Sequence, residues 1–148
     1  MSVTELERGP LLKALLAAQD ASEAAVSYPA IVGWADALIA LAAELGDPLL
    51  LPVSGPAERL IGAATVAARG SLRVRSLSGT VDGERVLLVD LAAVTPLQLL
   101  QAARHARLLG AAAVAGCAVS LDARDGIEEL DSYADLFASS QARVPTAA

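Results

Sequence analysis

Apolar residues recur along this chain in two rhythms, one helical and one of strands. Ile31, Trp34, Leu38, Leu41 and Leu45 fall on one stripe at helical spacing, and the run ends at Gly46. This predicts an amphipathic helix with Trp34 in its buried or interface side and a glycine at its close. Upstream, Thr4 and Glu7 fit a capping box, but Gly9-Pro10 interrupts the run. A firmer helix starts with Pro10 in its first turn and Leu12, Leu15 and Leu16 on the buried side, and Ser27-Tyr28-Pro29 breaks the chain before the Trp34 helix.

From Pro48 the rhythm changes. Pro48 to Val53 is a short apolar run consistent with a buried strand, and Ser54-Gly55-Pro56 turns into a helix over Ala57 to Ala68. Ser71 to Leu77 alternates, with Leu72 and Val74 pointing one way and Arg73 and Arg75 the other, as in a half-exposed strand. After the Asp82-Gly83 turn, Val86 to Val89 is apolar at every position, as a strand covered on both faces should be. A helix over Leu97 to Leu109 ends at Gly110, and Ala111 to Val119 supplies a last buried strand of small residues. Beyond the Asp125-Gly126 turn, Ile127, Leu130, Tyr133 and Phe137 mark a terminal helix. Alternation of this kind predicts an α/β fold: a doubly wound, mainly parallel sheet of four or five strands, Val86 to Val89 central, with helices on both faces. The pattern implies a single domain over residues 1–138 and a disordered tail over 139–148.

Composition narrows the functional classes. The chain has 148 residues, enough for one domain with a real core; 55% are hydrophobic and only 3% aromatic, so Ala, Leu and Val must build that core. No apolar run is long enough to cross a bilayer, and the acidic N-terminal stretch lacks the basic region of a secretory signal, so the expected location is cytoplasmic, without membrane partners. One cysteine, Cys117, excludes an internal disulfide and a cysteine-built metal site. Eleven basic against 17 acidic residues give a net charge of −6, which argues against a nucleic-acid partner. Arg69, Arg73, Arg75 and Arg85 form the single basic cluster, read as a solvated strand face and two element ends.

Candidate chemistry gathers where ligands sit in open parallel sheets, beyond the carboxyl ends of the strands. Ser54-Gly55 follows one strand, Arg75-Ser76 the next, and Asp90 to Thr95 the third. The segment from about Pro48 to Asp122, and above all Glu84 to Asp90 with the helix after it and the run Gly110 to Asp122, resembles the type I phosphoribosyltransferases. That family's hallmark is an apolar strand, two consecutive acids, and a Thr/Gly-rich loop opening a helix. The resemblance implies that the acids hold ribose hydroxyls of phosphoribosyl pyrophosphate, while loop amides at the helix N-terminus cradle the 5′-phosphate.

Carried over by position, Asp90 matches the first acid and Leu91 stands where the second belongs. Thr95 matches a loop threonine, and Pro96 stands where a loop glycine is expected, removing an amide donor and fixing φ. Arg75 matches the basic residue ending the preceding strand, with Ser76 in place of a neighbouring lysine. Ser54-Gly55 falls at the pyrophosphate loop, which Pro56 shortens. About eight residues separate Ser76 from Arg85, little room for the family's mobile catalytic loop. The candidate phosphate- or ribose-binding set is therefore Asp90, Thr95, Arg75, Ser54 and Gly55, with no catalytic and no metal-ligating residue assigned.

Ordinary structural roles account for the same residues. Thr95-Pro96 is explained as an N-cap and a first-turn proline, Asp90 as a carboxylate bonding loop amides, and Ser54-Gly55-Pro56 as a helix start. His105 lies mid-helix among Arg104 and Arg107 and reads as solvated, and Cys117 as a small buried hydrophobe. The sequence thus favours a catalytically degenerate phosphoribosyltransferase-like protein with a binding, regulatory or assembly role, as a homodimer or with a protein partner, and without a cofactor. The alternative is a working transferase that moves ribose 5-phosphate to a nucleobase, with Mg²⁺ accompanying phosphoribosyl pyrophosphate. In either case the edge is where a small phosphorylated ligand would bind. On this reading, restoring the motif with Leu91→Asp and Pro96→Gly is expected to recover phosphate-ester binding.

Overall fold

A computed structural model describes residues 28–75 and 80–137. The expected helix with Leu12, Leu15 and Leu16, and the tail 139–148, lie outside these residues. The Trp34 helix is α1, Tyr28–Glu44. Its charged residues are Asp36 and Glu44 alone, and Trp34, Ala35, Ala37, Leu38 and Ala42 are buried. The chain then turns through Gly46 (φ 78°) and Asp47 (φ 60°), both left-handed. Arg73 donates to the Asp47 carbonyl, and the Arg85 guanidinium lies against Gly46, so closely that a Cβ there would stand 3.0 Å from it. Two of the clustered arginines thus sit at the negative end of α1.

Strand β1 (Leu49–Pro52) leads to α2 (Gly55–Ala67), whose N-cap is Ser54. Next come β2 (Arg73–Val74), β3 (Arg85–Val89), β4 (Ala92–Ala93), α3 (Leu97–Leu108), β5 (Ala113–Ala118) and β6 (Ser120–Leu121). A single 3₁₀ turn (Ile127–Glu129) precedes β7 (Ser132–Asp135). Five strands form one sheet in the order β2-β1-β3-β5-β7, every pairing parallel, with β3 in the centre. The expected parallel sheet with a central Val86–Val89 strand is what the structure has.

Alternation along β3 divides the core. Leu87 and Val89 pack with Trp34 and Leu38 of α1 and with Leu60, Ile61 and Ala64 of α2. Val86 and Leu88 pack on the other face with Leu99, Leu100, Ala103 and Ala106 of α3. Helices therefore cover both faces, which is why β3 carries no polar side chain between Val86 and Val89.

Two expectations need correction. The alternating stretch Ser71 to Leu77 gives only a two-residue edge strand, Arg73–Val74, on the outer side of β1; residues 76–79 lie outside those described. The terminal helix expected from Ile127, Leu130, Tyr133 and Phe137 does not start where that spacing puts it: a 3₁₀ turn and the edge strand β7 occupy Ile127 to Asp135, and helical backbone begins only at Leu136 and Phe137, where the described residues end. Asp131 decides the outcome, because its backbone N–H donates to the Val114 carbonyl while its carboxylate accepts from the Val114 N–H at 2.6 Å. That clasp starts the chain alongside β5 in parallel register, and tertiary pairing overrides a helical period carried by only four residues.

Candidate functional site

Because all five strands run the same way, β1 and β3 end at one edge, and their terminal residues meet there. The Ser54 hydroxyl donates to Asp90 Oδ1 at 2.9 Å while accepting the Ala57 N–H at 3.3 Å. One hydroxyl thereby caps α2 and ties it to the end of β3. Asp90 Oδ1 also accepts the Leu91 N–H at 2.8 Å, and the Asp90 N–H donates to the Cys117 carbonyl. Asp90 is 2% exposed, the only charged residue buried among those described, and its Oδ2 has no partner. Burial raises its carboxyl pKa above the usual value, and the hydrogen bonds from Leu91 and Ser54 offset this only in part. Asp90 is thus held by structure on one oxygen and left unsatisfied on the other.

The loop after β3 departs from an open phosphate cradle. Leu91, where the sequence resemblance led to the expectation of a second acid, is 1% exposed and packs among Trp34, Leu38, Leu60 and Leu136. Ala92 and Ala93 form β4, paired in parallel with Ser120 and Leu121 of β6. The carbonyls of Leu91, Ala93 and Val94 accept N–H groups of Val119, Ser120, Asp122 and Ala123, so the loop is strapped to the chain leaving β5. Neither sequence signal nor periodicity marks this strap, since both strands are only two residues long, Ala92–Ala93 and Ser120–Leu121.

The helix opening also differs from expectation. Pro96, not Thr95, is the N-cap of α3, and no side chain caps it. Pro96 is buried and offers no N–H, while its carbonyl accepts from Leu100 N. Thr95 is exposed on the loop. Val94 and Leu97 are 41% and 55% exposed, so apolar side chains flank the place where an anion would dock. The turn carrying Asp122 and Asp125 packs there too: Asp122 N–H bonds the Ala93 carbonyl, and Gly126 lies against Leu100 of α3.

Of the expected set, the structure brings Ser54 and Asp90 into contact. Gly55 opens α2 with open space where a Cβ would stand, so nothing there approaches closely enough to require glycine. Arg75 lies at the end of β2, two strands from β3, with its guanidinium on the Thr80 carbonyl. Tyr133 was missed by its assignment to a helix. In β7 it packs on the α3 face of the sheet, its buried hydroxyl has no partner, and Arg124 lies over its ring at 5.4 Å while bridging Asp135. Burial and then the Asp135 charge push the Tyr133 phenol pKa up. Burial, reinforced by Asp90, pushes up the Cys117 thiol, so it is an unreactive core residue. His105 is exposed on α3, as its neighbours implied. Among the described residues no group of His, Cys, Asp and Glu side chains could hold a metal ion, and no helix is long and apolar enough to cross a membrane.

Solved structures supply a likeness for this arrangement. A hypoxanthine-guanine-xanthine phosphoribosyltransferase superposes with a TM-score of 0.52 at 14% identity, over 72% of this chain and 76% of that one. The fold is that of the phosphoribosyltransferases. A purine phosphoribosyltransferase from Pyrococcus horikoshii Ot3 gives 0.50 at 17% identity, over 70% of this chain and 83% of its own. A hypoxanthine phosphoribosyltransferase mutant from Trypanosoma cruzi, complexed with the product IMP, gives 0.50 at 14% identity over 70% and 69%. No protein-family model matches the chain, and no curated protein matches it.

Proposed function

We propose that this phosphoribosyltransferase-like protein no longer transfers phosphoribosyl groups and serves in binding or assembly. The observation that carries this reading is the strap: the loop after β3 is paired into β4–β6, with Leu91 turned into the core in place of a second carboxylate. A ribose held by one carboxylate instead of two loses a charge-assisted hydrogen bond, worth about 1.5–3 kcal/mol. Pro96 at the helix cap removes an amide from the phosphate position as well. Together these weaken substrate binding by roughly two to four powers of ten.

A second reading, an active transferase using Asp90 and Thr95 with Mg²⁺, rests on the retained acid at the end of β3 within this fold. Calorimetric titration with phosphoribosyl pyrophosphate and Mg²⁺, and a pyrophosphate-release assay with the common nucleobases, separate the two. The expected result is neither micromolar binding nor turnover. Pyrophosphate release by the unmodified protein, abolished in Asp90→Asn, would establish the transferase instead.

Self-association is the assembly role that the apolar α1 supports. Its outward position Val32 is 40% exposed, and Ile39 and Leu41 are only partly buried. Two-fold dimers are the commonest closed assembly. Light scattering at micromolar concentration should give twice the 15.0 kDa chain mass; the monomer mass would refute a dimer.

A further inference from the structure

We infer that the strap closing the carboxyl edge is held shut by the far end of β7, where Asp135, Leu136 and Phe137 act as an intramolecular latch. The inference rests on the reading of a site closed by the strap, and goes beyond it by naming what controls the closure.

The strap's own pairing is too short to hold it. Strands β4 and β6 have two residues each, and a lone two-stranded pair is marginal in water unless it packs on something else. Three consecutive residues at the end of β7 supply that support, each at a different place. The Phe137 N–H donates to the Val119 carbonyl at 3.3 Å and to Asp135 Oδ1 at 3.0 Å. Val119 in turn donates its N–H to the Leu91 carbonyl at 2.8 Å, so one residue bonds the loop through its amide and the latch through its carbonyl. Leu136 is fully buried, in the cluster that also holds Leu91 and Val119. The Asp135 carboxylate bridges Arg124 at 3.0 Å, directly after Ala123, whose N–H bonds the Val94 carbonyl at the far end of the strap. A backbone bond, a buried side chain and an ion pair thus fix the strap from its start to its end. Strand β7 is also well placed to let go. Among the described residues it pairs with β5 alone, at the edge of the sheet, and can leave without breaking any pairing of β2-β1-β3-β5. Local opening draws on such weakly embedded elements. Release would free the carbonyls of Leu91, Ala93 and Val94 and uncover the end of β3.

Native-state amide hydrogen exchange on the full-length protein reads the latch, at the N–H groups of Val119, Ser120, Asp122 and Ala123. Leu136→Ala should speed exchange at all four by roughly tenfold or more, the scale of losing a buried leucine. Leu49→Ala removes the same atoms from a buried site at the opposite end of the sheet. It should lower global stability and leave these four rates unchanged. Arg124→Gln breaks the ion pair at an exposed position, sparing the core, and should speed exchange roughly two- to fivefold. Unchanged strap rates in Leu136→Ala would overturn the latch; where that variant does not fold, unchanged rates in Arg124→Gln would. Equal acceleration by Leu49→Ala would overturn it too, because the strap would then open only with the whole domain. Turnover of phosphoribosyl pyrophosphate by the unmodified protein would refute the closed-site reading, a result distinguishable from any exchange rate.

Discussion

Leu91→Asp should unfold this protein at neutral pH or leave it with only a fraction of its stability. The side chain is 1% exposed and packs against α1 and α2 through Trp34, Leu38 and Leu60. Replacing it removes about 1.5–3 kcal/mol of apolar burial. It also places a carboxylate among the apolar side chains of that cluster, at a further cost of several kcal/mol if ionised. Against a typical total of about 5–15 kcal/mol, such losses are most of what a domain has. Urea denaturation monitored by Trp34 fluorescence should show a midpoint near zero denaturant at pH 7.5, recovering partly toward pH 4 as the introduced acid is neutralised. Unchanged stability would mean that residue 91 can turn outward, and the site would then be open to repair. The motif alone gives the opposite expectation, that an acid at 91 with Pro96→Gly recovers phosphate-ester binding. Restoration there must overcome the fold itself, because the position has been absorbed into the core.

What the sequence made legible follows from how many residues carry each signal. Val86 to Val89, buried on both faces, and the stripe of α1 are long, unmixed patterns, and both elements stand where those patterns place them. Strand β7 was hidden because Ser132 and Asp135 are poor strand formers, and because its position depends on the Asp131–Val114 clasp, a contact between residues 17 apart. The β4–β6 strap was hidden for a similar reason: its two-residue strands are held by backbone carbonyls, which every residue possesses. At the site, position matching correctly brought Ser54 and Asp90 to one edge, since strand ends in a parallel sheet are fixed by topology. It could not say that Leu91 points inward, that Pro96 rather than Thr95 caps α3, or that Tyr133 shares the α3 face. Each of those depends on side-chain direction at an element boundary, where sequence spacing has least force.

Asp90→Asn should make the protein more stable at pH 7. Asparagine keeps an acceptor for the Ser54 hydroxyl and the Leu91 N–H, the two bonds that tie β3 to the cap of α2. It removes the charge whose burial raises the carboxyl pKa. The sign follows from linkage. With a folded pKa above the unfolded one, the native state binds the extra proton between the two values, so stability falls as pH rises through that window and stays lower above it. The ionised carboxylate is therefore a cost at neutral pH and none below the unfolded value of about 3.9. Thermal unfolding of the two proteins from pH 7.5 down to pH 4 should show the variant melting higher at the top of the range. The gap should close on acidification, and because other carboxylates titrate alike in both proteins, the difference isolates Asp90. A variant less stable at every pH would mean that the charge is held by a partner and contributes to the fold. A gain in stability on removing the acid has a plain physical meaning: the ionised carboxylate, buried with one oxygen unpartnered, weakens the fold.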